Sequence, residues 1–287
     1  MSAGPRRVQA TFWLLDAPDS LALQSRAEPD GAGLGVFTAD ELPAVYRTVL
    51  AAYEDTRFAA EAREVESKTF VAHIRYASTG AVALENTHPF EQKSRLFAHN
   101  GVVDDLPKLE HALGSYRSLV HGETDSERLF ALITREADRA NGDLSTAIAN
   151  AARWVARELP LYALNLVLTT ADGLWALRYP DTHDLFVLER PAGGTHGDRH
   201  FDGASAAGRI RVRSAHLAET PAVIIASEPM DEHPGWRKLA AGELIHVDAD
   251  LNVHSATVVT EPPAQLLRLQ DLAPRAALAQ QPPQRPA

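Results

Sequence analysis

The segment HIRYASTGAVALENTHPFEQKSRLFAHNG, residues 73–101, carries charged and polar side chains within sequence that otherwise has the pattern of strands. Residues 69–77, TFVAHIRYA, alternate between two faces, and His73 and Arg75 share one of them. The later run SRLFAHNG reads as a second short strand that ends at Asn100 and a glycine. Because an unpaired charge is costly to remove from water, an Arg on a strand face needs a fixed anion. The segment therefore predicts strands that carry a ligand site.

The rest of the chain combines two helices with many short strands. Apolar residues recur at helical spacing over Asp125–Arg139 and over residues 143–159. After residue 160, short apolar runs are separated by Gly, Asp and Pro rather than by helices, which favours antiparallel pairing. The sequence DGAGLG, residues 30–35, precedes strand-like residues, so it predicts a glycine-rich turn and not a phosphate loop. These patterns predict an α+β fold.

Composition excludes several classes of protein. A net charge of −10 disfavours nucleic acid as a partner. No apolar run is long enough to span a bilayer, and the N-terminus lacks the apolar core of a signal peptide, so a cytoplasmic location is the default expectation. The sequence contains no Cys, which excludes disulfides, thiolate metal sites and a Cys nucleophile in the chain as written. No set of metal ligands is convincing.

The two ends of the chain differ in composition from its middle. A chain of 287 residues is long enough for one large domain or two small ones. Pro recurs from residue 262 to residue 286, in a segment that is also rich in Ala and Gln. We therefore expect a single domain over residues 1–260 and a flexible tail over residues 261–287.

The polar residues of the opening segment suit an anionic ligand. The planar guanidinium of Arg75 matches a carboxylate bidentately, and the turn at Ser78 and Thr79 offers hydroxyl and backbone donors to the same group. Asn100 offers a side-chain donor, and Gly101 lets a backbone N–H approach a ligand closely. Two such donors can form an oxyanion hole.

Each of these residues also has a purely structural interpretation. Arg75 could form an internal salt bridge with Glu85 or Asp125, and Asn100-Gly101 could be a hairpin turn. Asp125 stands at a predicted helix start, where a cap or a first-turn acid is common. Its alternative role is a counter-ion for a substrate ammonium. Together the residues describe a pocket for an α-amino acid: an anion clamp, a cation acceptor and a group that polarises a carbonyl.

Four motifs carry a family resemblance. In order along the chain, HIRYASTG, ENTHPF, FAHNG and ETDSE resemble the class II glutamine amidotransferases of the N-terminal-nucleophile hydrolase fold, and stand-alone members most of all. The resemblance implies a four-layer αββα sandwich of two antiparallel sheets. It also implies that an N-terminal Cys attacks the side-chain amide of glutamine and that ammonia leaves. That chemistry needs no cofactor, and the ammonia-accepting partner protein is not identified by the sequence.

The resemblance also implies a role for each motif residue. Arg75 would bind the substrate α-carboxylate with help from the Ser78-Thr79 turn, and Asp125 would bind the α-ammonium. Asn100 and Gly101 would form the oxyanion hole. Asn86 and His88, in ENTHPF, would support the site.

The N-terminus departs from the family pattern. Family members begin Met-Cys and continue into an apolar strand, whereas this chain begins MSAGPRR. The start could lie upstream or the chain could be truncated, Ser2 could be the nucleophile, or the pocket could bind without catalysis. Ser2 is a weak candidate because Pro5 lacks the N–H that a central strand requires. The expected function is hydrolysis of glutamine or another γ-glutamyl amide, and the alternative is an inactive glutamine-binding sensor or regulatory protein.

Overall fold

The structure, a computed structural model, describes residues 1–77, 80–192, 201–204, 211–214 and 220–281. Its strands are β1 (Val8–Gln9), β2 (Ala32–Phe37), β3 (Pro43–Thr48), β4 (Glu66–Ser67), β5 (Phe70–Ile74), β6 (Phe90–Gln92), β7 (Arg95–Val103), β8 (Pro160–Thr169), β9 (Leu174–Arg178), β10 (Phe186–Arg190), β11 (Phe201–Ala204), β12 (Arg211–Ser214), β13 (Ala222–Ala226), β14 (Arg237–Lys238), β15 (Glu243–Val247), β16 (Val253–Thr257) and β17 (Gln265–Leu266). Its α-helices are α1 (Leu21–Gln24), α2 (Thr56–Glu64), α3 (Leu106–Leu113), α4 (Asp125–Arg139), α5 (Leu144–Glu158) and α6 (Pro274–Ala279).

The larger sheet has seven strands. Its order is β16-β15-β9-β8-β7-β6, with antiparallel pairs throughout, and β17 pairs in parallel with the start of β8. Helices α4 and α5 cover one face, because their apolar stripes pack against the outward side chains of β7 and β8. Phe97 of β7 stacks on Phe130 of α4 with ring centroids 4.8 Å apart. This layer pair contains the largest core cluster of the protein.

The N-terminal residues connect two groups of strands into the other sheet layer. Strands β3-β2-β5 form one three-stranded group and β13-β10-β14 another. Between them, Met1 exchanges two backbone hydrogen bonds of 2.9 Å with Phe70, and Ser2 exchanges two of 2.8 Å with Val223. The first residues thus form a short strand between β5 and β13. Helix α2 covers the outer face of this layer, where Phe58 is fully buried.

The two sheet layers face each other across an apolar interface. Phe37 and Val71 from one layer pack with Leu96 and Ala98 from the other. The order of layers is therefore helix, sheet, sheet, helix, which confirms the predicted αββα sandwich. Side chains alternate between the two faces of a strand. Arg75 comes two residues after His73 and four residues after Val71, so its position continues the inner face of β5.

The glycine-rich sequence near residue 33 lies within β2 and not in a turn before it. A Cβ atom on Gly33 would stand 2.0 Å from the backbone oxygen of His88. The backbone of His88 and Pro89 therefore crosses β2 in direct contact with Gly33, and only a glycine permits that approach. The predicted turn was wrong because the need for a glycine at position 33 arises from contact with His88, 55 residues later in the chain.

The segment after residue 260 begins with ordered contacts. Strand β17 pairs with β8, and Arg275 of α6 forms a salt bridge of 2.9 Å with Asp30. Gln280 is buried and lies 2.7 Å from Nε2 of His183. Residues 282–287 of the expected tail lie outside the described residues, and the domain boundary at 260 stays a prediction. No helix in the described part of the chain is both long and apolar enough to cross a membrane.

Candidate functional site

Strand β7 is buried along most of its length but is accessible at two adjacent residues. Residues 96–99 and 102–103 are buried, whereas Asn100 and Gly101 between them are half-buried. Asn100 shares a strand face with Ala98, which packs against the opposite sheet layer. A ligand between the sheets can therefore reach β7 at the side chain of Asn100.

Gly101 is required by its surroundings. A Cβ atom at this position would lie 2.0 Å from the backbone oxygen of Ala163 and 2.8 Å from Nε2 of His99. Backbone cannot move away as a flexible side chain can, so a larger residue would displace β8. The absence of a side chain at Gly101 is therefore what allows β8 to approach β7 this closely.

Asn165 is a site-adjacent residue that the sequence reasoning missed. It lies directly opposite Asn100 in the β7–β8 pair. Its amide donates to the backbone oxygens of His183 and Asp184 at 3.3 and 3.0 Å, and its Oδ1 accepts from Tyr179 at 3.2 Å. Asn165 therefore holds the 179–184 loop against the sheet. The available signal was a lone Asn in the otherwise apolar run YALNLVL.

Arg75 is a buried cation at the end of β5. It is 4% exposed, and its backbone is held by Gly31 and Asp30 through hydrogen bonds of 2.8 and 2.9 Å. Its Nη1 donates to the neutral carbonyl of Ala81 at 3.2 Å. Burial lowers the pKa of Arg75, and the nearby carboxylate of Asp30 opposes that shift. A guanidinium this deeply buried is well placed to gain from a second anion.

Asn86 connects the loop after Arg75 to the start of α4. The predicted donors Ser78 and Thr79 lie outside the described residues. Asn86 is 1% exposed; its Nδ2 donates to the carbonyl of Ala81 at 3.1 Å, and its Oδ1 accepts from the backbone of Glu123 at 2.7 Å. Asn86 therefore holds the loop at Ala81, beside the guanidinium of Arg75.

Asp125 is the first residue of α4 and is 2% exposed. The N-cap is Thr124, whose hydroxyl accepts from the backbone of Glu127 at 3.2 Å. Asp125 is instead a first-turn acid, and its Oδ2 accepts from the backbone of Val103 at 2.9 Å. This bond ties the carboxylate to β7 two residues beyond Gly101.

Two histidine rings in contact lie beside this site. The rings of His73 and His88 have centroids 4.2 Å apart. Burial lowers the pKa of His73 to about 3 and the pKa of His88 well below its usual value, with neighbouring cationic groups adding to both shifts. Neither ring nitrogen of His88 has a hydrogen-bond partner among the described residues. Both rings are neutral at physiological pH, so Arg75 is the group of this cluster that carries positive charge.

A third histidine fixes β7 to α4. His99 lies 3.0 Å from the hydroxyl of Ser126 and 3.1 Å from the backbone oxygen of Ala163. The carbonyl can only accept, so Nε2 carries the proton and Nδ1 accepts from Ser126. Sequence reasoning gave His99 no role. Among the described residues, no group of three or more His, Asp or Glu side chains is arranged to hold a metal ion.

Ser2 is far from these residues. It pairs with Thr69, and Arg75 lies six residues further along β5, about 20 Å away at the rise of a strand. Ser2 is also 1% exposed. The amine of Met1 donates to the backbone oxygen of Phe70 at 2.9 Å, and burial lowers its pKa to about 5. Ser2 is thus not brought together with the other candidate residues.

Comparisons with known proteins agree with this fold. The family described as glutamine amidotransferases class-II matches residues 20–267. The chain is 28% identical over 246 residues to the gamma-glutamyl-hercynylcysteine sulfoxide hydrolase of Mycolicibacterium smegmatis, covering 82% of this chain and 88% of that protein. It is 29% identical over 189 residues to "Putative glutamine amidotransferase YafJ" of Escherichia coli K12, covering 62% of this chain and 69% of that protein.

A solved structure shares the architecture. The glutamine aminotransferase class-II domain protein from Silicibacter pomeroyi superposes with a TM-score of 0.55 at 20% identity, covering 80% of this chain and 92% of that one. At that identity the likeness concerns the fold. The family match itself spans most of the sequence and includes the four motifs between His73 and Glu127. This chain belongs to the class II glutamine amidotransferases.

Proposed function

We propose that the space between the sheets binds glutamine, or another γ-glutamyl amide, by its α-amino acid group. The observation that supports this most directly is the accessible pair Asn100 and Gly101 in an otherwise buried strand, with the buried guanidinium of Arg75 at the end of the facing strand β5. A buried Arg and an acid beside an accessible strand end match the two charges of an amino acid. Gamma-glutamyl compounds are also what the named mycobacterial relative acts on.

Each residue takes one part of the substrate. Arg75 binds the α-carboxylate bidentately, and Ser78 and Thr79 supply further donors. Asp125 binds the α-ammonium, since its carboxylate is buried and tied to the end of β7. Asn86 and His88 support this arrangement by holding the loop and by packing.

The reaction is hydrolysis of the side-chain amide. A nucleophile attacks the amide carbon, and the side-chain N–H of Asn100 with the backbone N–H of Gly101 stabilises the oxyanion that forms. The C–N bond then breaks and ammonia leaves with a proton from the nucleophile. Water hydrolyses the resulting acyl-enzyme, which releases glutamate and restores the nucleophile.

The strand register indicates where such a nucleophile would stand. Met1 lies opposite Phe70, so earlier positions of the same strand would run along β5 toward Arg75. Positions three and five residues before Met1 would share the inner face with Ser2, and the position four residues before would lie on the outer face. The sequence as written contains no Cys. This supports the alternative function, a sensor that binds glutamine without hydrolysing it.

Extended variants test the proposal. Three forms would carry three, four or five added residues before Met1, with Cys first and apolar residues after it, and removal of the initiator Met would be checked by mass spectrometry. We expect ammonia release from glutamine with five or three added residues, and none with four, because that Cys faces the outer side. Calorimetric titration of the unextended chain with glutamine is the companion measurement. Glutamine binding without ammonia release from any form would support the sensor function. If glutamine does not bind, both functions are rejected.

A further inference from the structure

Glu123 links the loop after Arg75 to the beginning of α4. Its Oε2 accepts from the backbone N–H of Ala81 at 2.9 Å and from Nδ2 of Asn86 at 3.3 Å. Its own backbone N–H donates to Oδ1 of Asn86 at 2.7 Å. Glu123 and Asn86 are therefore joined by two hydrogen bonds, and both contact the backbone of Ala81.

The backbone of Ala81 is held through both of its polar groups, which belong to two adjacent peptide groups. Its N–H donates to Glu123, while its carbonyl accepts from Nδ2 of Asn86 at 3.1 Å and from Nη1 of Arg75 at 3.2 Å. Neither peptide group can therefore turn without breaking at least one of these hydrogen bonds. The direction of the Ala81 carbonyl therefore constrains the guanidinium of Arg75.

The carboxylate form of Glu123 suits this task. Its hydrogen bond from Ala81, followed by that from Asn86, lowers the pKa of Glu123, so the side chain is ionised at neutral pH. Bonds to an ionised acceptor are stronger than bonds between neutral groups. Glu123 stands two residues before Asp125, so one short segment carries both the contact to the Ala81 backbone and the acid of the candidate site.

We propose that Glu123 is a positioning residue for the carboxylate clamp. It fixes the peptide group that contains the N–H of Ala81, the Ala81 carbonyl in the next peptide group orients Arg75, and the clamp is thereby held in register with Asp125 on α4. This inference rests on the proposed function of the site, because it assigns to Arg75 the substrate carboxylate. Glu123 itself does not touch the substrate.

A double-mutant cycle tests the inference through glutamine affinity. We expect Glu123→Ala to weaken binding about tenfold, the loss of one charge-assisted hydrogen bond. Glu123→Gln keeps an acceptor for the Ala81 N–H and should recover most of that loss. In an Arg75→Lys background, Glu123→Ala should cost less than about threefold, since residues that act through one another are not additive. Glu85→Ala, an exposed carboxylate of the same loop, is the matched control.

Two results would overturn the inference. One is a full tenfold effect of Glu123→Ala in the Arg75→Lys background, and the other is no effect in the native background. If glutamine does not bind the native chain, the proposed function fails and amide hydrogen exchange at Ala81 decides the role of Glu123. Exchange at least about tenfold faster in Glu123→Ala than in Glu85→Ala upholds the positioning of that peptide. Equal exchange in the two variants rejects it.

Discussion

Ser2 and Val223 exchange two backbone hydrogen bonds of 2.8 Å, and this pair joins two three-stranded groups into one sheet layer. On its other edge, Ser2 bridges to Thr69. A residue paired on both edges behaves as part of a central strand, although the N-terminal segment is only a few residues long. The same pairing fixes Ser2 about 20 Å from Arg75.

A Ser2→Pro variant should therefore be less stable. Proline lacks the N–H that donates to the buried carbonyl of Val223, and leaving that acceptor unsatisfied costs about 1–3 kcal/mol. Urea unfolding monitored by circular dichroism gives the free energy of unfolding. Ser2→Ala is the control, and it should stay within about 0.5 kcal/mol of the native chain because its hydroxyl makes a bond of 3.5 Å to Gly4. Equal stability of the two variants would mean that the segment does not hold the layer together.

Local patterns predicted α4 and α5 closely, because the forces involved act over a few residues, whereas α2 and α3 were not predicted. The apolar stripe including Leu129 and Ile133 was sufficient to define α4 at both ends. Contacts made by distant segments were not predictable in this way. Arg275 of α6 contacts Asp30, which is 245 residues away in the sequence. The proline-rich composition of the C-terminal segment suggested a flexible tail because it carries no information about that contact. The close approach of Ala163 to Gly101 is a contact of the same kind.

The candidate site was reached from its residue types and not from its geometry. Arg75, Asn100 and Asp125 each had a structural alternative, which sequence alone favoured when each residue was taken singly. The N-cap at Thr124 leaves Asp125 to bond β7 instead, and no pattern of spacing contains that information. Asn165 and His99 were missed because their partners are backbone carbonyls of other segments. The roles of the site residues stay predictions for the experiments below.

Arg75→Lys should weaken the binding of glutamine and of glutamate. A lysine ammonium is a point charge and cannot reproduce the two parallel bonds of a guanidinium, so we expect a loss of about 1.5–3 kcal/mol. Isothermal titration calorimetry measures this directly. Arg63→Lys, at an exposed position of α2, is the matched control and should bind as the native chain does. If the two variants bind glutamine equally, Arg75 serves the scaffold alone.

Asn100→Ala should slow catalysis in whichever extended form releases ammonia. Loss of one oxyanion donor lowers kcat by roughly 100- to 1000-fold, while ground-state binding changes little because the donor acts on developing charge. The coupled ammonia assay and a glutamine titration separate the two effects. Asn150→Ala, exposed on α5, provides the comparison. An unchanged rate would place the oxyanion hole elsewhere, and a large loss of affinity would make Asn100 a binding residue.

The stability of the fold should fall in mild acid because of His88. This ring is 6% exposed, and burial holds its pKa well below the usual value in the folded state. The unfolded chain has an ordinary histidine pKa near 6.5, so below that pH the unfolded state takes up a proton that the folded state does not. Stability is therefore present at neutral pH and is lost as the pH drops, by about 1.4 kcal/mol per pH unit for one proton.

His88→Phe tests this pH dependence. It keeps a ring between His73 and Phe90 but cannot be protonated. The free energy of unfolding, measured in urea from pH 7 to pH 5, should then fall less steeply than in the native chain by about one proton. His111→Gln, which removes an exposed histidine, should leave the native slope unchanged. If His88→Phe and the native chain lose stability in parallel, His88 is protonated in the folded state and its neutral, packed role is wrong.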